Sequence, residues 1–135
     1  MAIRNRFIQV YETDMMGIVH HSNYLRLCEE ARVQWFVSQN ILGVTKEDVF
    51  SLTVVTAQVF YKKSLKYADY ASVDLQIKVE GARLFIEYKI LNGENELCAL
   101  AETIHCSMDQ NFKPTRLNSE LVKKVKESPW KETWL

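Results

Sequence analysis

Residues 11–32 read "YETDMMGIVHHSNYLRLCEEAR", and the period of the chain changes inside this stretch. Before it, residues 3–11 mix β-branched and aromatic residues with polar ones in the manner of a strand. From Asn23 onward, Tyr24, Cys28, Ala31 and Trp35 recur at steps of three and four, with Leu25, Leu27 and Phe36 beside them. That spacing describes a helix with a wide apolar face. Ser22 or Asn23 is placed to cap it, because either side chain accepts a hydrogen bond from an amide of the first turn. The helix is expected to stop between Asn40 and Gly43. Between strand and helix lie an acid, Asp14, a glycine, Gly17, and the adjacent His20 and His21.

Working outward, residues 53–61, "TVVTAQVFY", form a second strand and are followed by the basic segment "KKSLKYAD". Val73, Leu75, Ile77 and Val79 alternate with polar residues, and Leu84, Ile86, Tyr88 and Ile90 keep the same period after "EGAR". "NGEN" then signals a turn into a last long strand over residues 96–108. "NSELVKKVK", 118–126, is helical in pattern. One strand, a long helix, an antiparallel meander of four strands and a short helix define the α+β domain expected over residues 1–135. The simplest packing curls the sheet around the helix. Part of the sheet edge then stays open, which favours pairing with a second copy.

Composition narrows the function. The chain of 135 residues is 47% hydrophobic, enough for one ordinary core. Seventeen Lys plus Arg balance seventeen Asp plus Glu, so no general basic field draws it to nucleic acid or to an anionic membrane. Its first residues lack the apolar core of a signal peptide, and no apolar run approaches spanning length. Three scattered cysteines without a C-x-x-C pair suit a reducing compartment, and the expected location is cytoplasmic.

Asp14 follows a strand and precedes Gly17 and a helix start, among Met15, Met16, Ile18 and Val19. Apolar neighbours desolvate a carboxylate and raise its pKa, whereas helix amides hold it ionised. The same amides suit a carbonyl oxygen that gains charge in a reaction. An Asp that merely caps a turn is the plain alternative, and the residues alone leave both open. No G-x-S-x-G elbow, glycine-rich phosphate loop or metal-ligand spacing joins His20, His21 and His105 to another chemistry. Neither a metal nor a cofactor is expected.

The stretch resembles the signature of the hotdog-fold thioesterases of the 4-hydroxybenzoyl-CoA thioesterase family, in particular the acyl-CoA thioesterase branch associated with the Tol-Pal system. Tyr11, Thr13, Asp14, Gly17, Val19, His21 and Tyr24 match, as do Glu29 or Glu30 with Ala31 and Arg32, and "YKKSLKYAD", "KILNGENELCALAE" and "FKPTRLN" follow in order. The resemblance implies an antiparallel sheet of about five strands around one long helix, a homodimer or homotetramer, and hydrolysis of acyl-CoA, with acyl carrier protein as a second carrier. It places the catalytic carboxylate at Asp14 and the oxyanion donor at the His21 N–H, with Gly17 in the turn between them. Val19, Asn23 and Tyr24 become candidate substrate contacts. Lys62, Lys63 and Lys66 fall where the family meets the CoA phosphates, with Arg83 and Arg116 weaker candidates. Three departures stand out: Glu12 replaces the first Asp of the family's D-T-D, His20 replaces a Tyr, and Ser64 replaces a Pro. Adjacent residues point in different directions, so only one of His20 and His21 is expected to face substrate. Two other readings remain, an acyl-thioester hydratase and a non-catalytic acyl-binding or partner-docking module. The first normally pairs a His with an acid on the helix, whereas here the acid precedes it.

Overall fold

The computed structural model describes residues 2–41, 52–132 and 134. Its elements are β1 (Ile3–Phe7), a 3-10 turn (Val10–Glu12), α1 (His21–Ser38), β2 (Leu52–Tyr61), β3 (Tyr70–Glu80), β4 (Arg83–Leu91), β5 (Leu97–Ser107) and α2 (Ser119–Lys126). The five strands form one antiparallel sheet in the order β1-β3-β4-β5-β2. The α+β class, the five strands and the long helix agree with the sequence; a meander of all four later strands does not, because β2 pairs with β5 rather than with β3, and only β3, β4 and β5 follow one another across the sheet. The first strand is shorter than the alternation suggests. It ends at Phe7, and the chain then turns through Val10–Glu12, burying Glu12.

Register decides which residues meet the helix. Val73, Leu75, Ile77 and Val79 oppose Ile90, Tyr88, Ile86 and Leu84, and these in turn oppose Ala99, Ala101, Thr103 and His105. The set shares one face, because strand side chains alternate with a period of two. On that face Tyr24, Leu27, Cys28, Ala31 and Phe36 of α1 close the core. At the end of α1 the chain enters the left-handed region at Asn40, φ 57°, so the helix stops at Ser38. The Gly43 limit lies outside the described residues.

One polar thread crosses the core. Arg32 Nη1 donates to the Tyr88 hydroxyl at 3.1 Å, Tyr88 bonds Thr103 Oγ1 at 2.8 Å, and Thr103 bonds His105 Nε2 at 2.9 Å. Arg32 can only donate, so Tyr88 accepts at the start of this thread, and the hydroxyls of Tyr88 and Thr103 carry it on to the His105 ring. The other ring nitrogen, Nδ1, is buried and has no hydrogen-bond partner among the described residues. Burial first, and Arg32 second, push the His105 pKa down to about 4.

The C-terminal segment straps β3 and β4. Leu121 and Val125 of α2 join the core, Gln76 and the Lys131 backbone exchange two hydrogen bonds of 2.9 and 3.0 Å, and Trp130 and Trp134 stack against Lys78 and Lys89. Both tryptophans thus pack against lysines of the sheet. β2, by contrast, is an edge strand with little cover on either face; Val54 and Val55 are 45% and 44% exposed. Among the described residues no helix is long and apolar enough to cross a membrane, and no group of side chains could hold a metal ion.

Candidate active site

The turn after Glu12 is closed by its own backbone. The Asp14 N–H donates to Ile18 O at 2.9 Å, the Gly17 N–H to Asp14 O at 3.1 Å, and Thr13 bridges Val19. Gly17 has φ +77°, a region in which a side chain strains the backbone. The Val19 N–H donates to Leu65 O at 2.8 Å and the Tyr67 N–H to Gly17 O at 3.2 Å, which pins the turn to the basic segment. Within it, the Met16 N–H donates to Asp14 Oδ1 at 2.7 Å and so orients the carboxylate. Met15 and Met16 do not shield Asp14 as their apolar character suggests, since they are 104% and 80% exposed. Ile18 and buried Val19 supply the apolar side instead.

The helix cap also differs from expectation. His20, not Ser22 or Asn23, is the N-cap, its Nδ1 accepting the Ser22 N–H at 3.2 Å. An imidazole nitrogen takes the place of a side-chain oxygen there, which the usual capping preferences do not anticipate. His20 is thereby turned along the helix start, and His21 is the histidine on the cleft. Asn23, in the first helical turn, reaches back to donate to Glu12 O at 2.8 Å.

Asp14, Ile18, Val19, His21 and Tyr24 line a cleft of about 430 Å³ together with Tyr61, Lys62, Lys63 and Ser64. No backbone acceptor engages the His21 N–H among the described residues. Opposite it, the Tyr61 hydroxyl donates to His21 O at 3.0 Å, and the Tyr24 and Tyr61 rings meet edge-on at 5.1 Å. The Tyr24 hydroxyl accepts the Leu65 N–H at 3.1 Å. Lys63 is ion-paired with Glu96, a hydrogen bond that raises its pKa, whereas Lys62 has no carboxylate partner among the described residues. Gly17, Asn23 and Lys66 are not on the cleft wall: Gly17 makes the turn, Asn23 ties it to the helix, and Lys66 bridges Ile18 through its backbone. Tyr61, Ile18 and Ser64 were not legible as site residues; the one signal for Tyr61 is its place at a strand end beside two lysines. A larger groove of about 860 Å³ between β1 and α1 carries the Arg6–Glu30 ion pair but no free helix-start amide.

The thioesterase-like superfamily matches residues 8–129. The chain belongs to that family. It is 30% identical over 105 residues to the acyl-CoA thioesterase YbgC of Helicobacter pylori, covering 78% of this chain and 68% of that one. A protein of Aquifex aeolicus with a crystal structure is 33% identical, with a TM-score of 0.79, covering 91% of this chain and 97% of the other. The fold is also that of a 1,4-dihydroxy-2-naphthoyl-CoA thioesterase from Synechocystis, TM-score 0.82 at 23% identity, over 91% of this chain and 93% of that one. This is a hotdog-fold thioesterase.

Proposed function

We propose that this thioesterase hydrolyses acyl-CoA thioesters, with Asp14 as its catalytic carboxylate and the His21 N–H as its oxyanion donor. The observation that carries the reading is their shared cleft: an oriented carboxylate, with one oxygen held by the Met16 N–H, beside a helix-start amide that no backbone acceptor occupies. The thioester carbonyl sits against that amide and gains charge there as the carbon is attacked. Asp14 either attacks the carbon or takes a proton from the attacking water; both require it in this position. The thiolate leaves readily, since a thiol pKa is about 8.5. Val19, Tyr24 and Tyr61 frame the acyl entrance, and Lys62 meets a CoA phosphate as a point charge, with Lys66 and the Glu96-paired Lys63 as weaker contacts.

The motif match supports placement near the Tol-Pal-associated branch and a cytoplasmic setting, with acyl carrier protein as a second carrier. The uncovered β2 edge supports a homodimer, with a tetramer as its doubling. Release of free thiol from a panel of acyl-CoA esters tests the activity, and Asp14→Asn tests the mechanism. Hydrolysis that falls by two or more orders of magnitude in that variant is expected. Binding without hydrolysis in the unmodified protein points instead to a docking module.

A further inference from the structure

We propose that Arg6 is a positioning residue which, through Glu12 and Glu30, sets the distance between the Asp14 turn and the start of α1. The proposal rests on the assignment of Asp14 as the catalytic carboxylate. The guanidinium is shared between two elements. Its Nε and Nη2 donate to Glu30 Oε2 and Oε1 of α1 at 2.9 Å each, and its Nη1 donates to Glu12 Oε1 at 2.5 Å. Glu12 is the junction of the site. It is 6% exposed, its Oε1 also accepts the Gln9 N–H at 2.9 Å, and its carbonyl accepts both His20 N–H at 3.0 Å and Asn23 Nδ2 at 2.8 Å.

Asp14 lies two residues after Glu12, and His21 lies one after His20. The carboxylate and the free amide are therefore both tied closely to the atoms that Glu12 fixes. Glu30 prevents α1 from sliding relative to that junction, because the bidentate pair holds the helix about two and a half turns from its start against β1. Burial alone would raise the Glu12 carboxyl, but the Arg6 hydrogen bond and the Gln9 amide outweigh it and hold it below the usual carboxylate range. A lysine at position 6 keeps the charge but cannot span two carboxylates with a planar fork.

The test compares Arg6→Lys and Arg6→Gln in the unmodified protein and in Asp14→Asn. Readouts are kcat and KM on an acyl-CoA ester, thermal melting, and hydrogen exchange at the Val19 and His20 amides. Expected is a fall in kcat of about tenfold with KM within about twofold, the scale of a small misplacement of reacting groups. Faster exchange at His20 accompanies it, and no further loss of residual rate appears in the Asp14→Asn background. Unchanged kcat with a lower melting point makes Arg6 merely structural and overturns the proposal, as does an equal loss of rate in both backgrounds. Full hydrolysis by Asp14→Asn alone overturns the catalytic assignment and this proposal with it, and is read without any change at Arg6.

Discussion

The Asn23 side chain and the His20 main chain donate to one oxygen, the Glu12 carbonyl, at 2.8 and 3.0 Å. That oxygen belongs to the peptide leading into the Asp14 turn, so Asn23 joins the turn to the helix start from the helix side. Asn23→Ala removes one of the two donors and costs about 1 kcal/mol, the net worth of a typical hydrogen bond. A melting point a few degrees lower, and a kcat that falls more than KM rises, are the expected results of thermal denaturation and steady-state kinetics. Asn23→Asp is worse, since it sets an acceptor against an acceptor.

At Gly17 the space and the backbone make different demands. A Cβ built there meets nothing within 4 Å, yet φ is +77°. Gly17→Ala therefore costs only conformational strain, about 1 kcal/mol. The turn relieves that strain by shifting, which moves Asp14, so the hydrolysis rate drops by more than the melting point suggests. Gly17→Asn, whose side chain tolerates the left-handed region, retains more activity than Gly17→Ala. Equal rates in the two variants refute the account.

The α+β architecture was legible because alternation is strongest where one face is buried: Val73, Leu75, Ile77 and Val79 fall on the helix side of β3 as their period requires. β1 is shorter than its residue types suggest, since the same types continue past Phe7 while Glu12 turns inward to meet Arg6, a side-chain pairing that alternation along the strand does not contain. The turn holding Asp14 was found by its residue types and by family resemblance. Its neighbours on the cleft, Tyr61 and Ser64, come from a segment some forty residues later and became visible only once the sheet brought them together. The cap at His20 was missed because a ring nitrogen took a place usually filled by a hydroxyl, amide or carboxylate.

His105 makes stability depend on pH in a window of its own. Its folded pKa lies near 4, below the ordinary value of 6.5, so between those limits the unfolded chain binds the proton and the folded protein does not. Stability is thus full above pH 6.5 and declines as the pH falls toward 4. Glu12, whose pKa is depressed below 4.5, adds its own loss only below that value. Melting points measured from pH 6.5 down to 4.5 isolate the histidine. His105→Gln is expected to flatten the decline by on the order of 2 kcal/mol. An identical slope in both proteins refutes the assignment.

The β2 edge supplies the last expectation. Residues 52–61 carry no charge and no proline, and among the described residues no strand pairs with their outer hydrogen-bonding edge. Isolated edges of this kind are normally blunted with lysine, proline or a short strand, because they template pairing with another chain. β2 has only one interruption, the irregularity between Val54 and Thr56. A second copy laid antiparallel is expected to cover the edge, because such a pairing closes on itself with two-fold symmetry. Val55→Lys, at a position already 44% exposed, leaves the single chain folded while placing a charge at that junction. Sedimentation equilibrium is expected to show a dimer for the unmodified protein and a shift to monomer for the variant, with unchanged circular dichroism. A monomeric unmodified protein at micromolar concentration, or a dimer indifferent to the lysine, places the contact elsewhere.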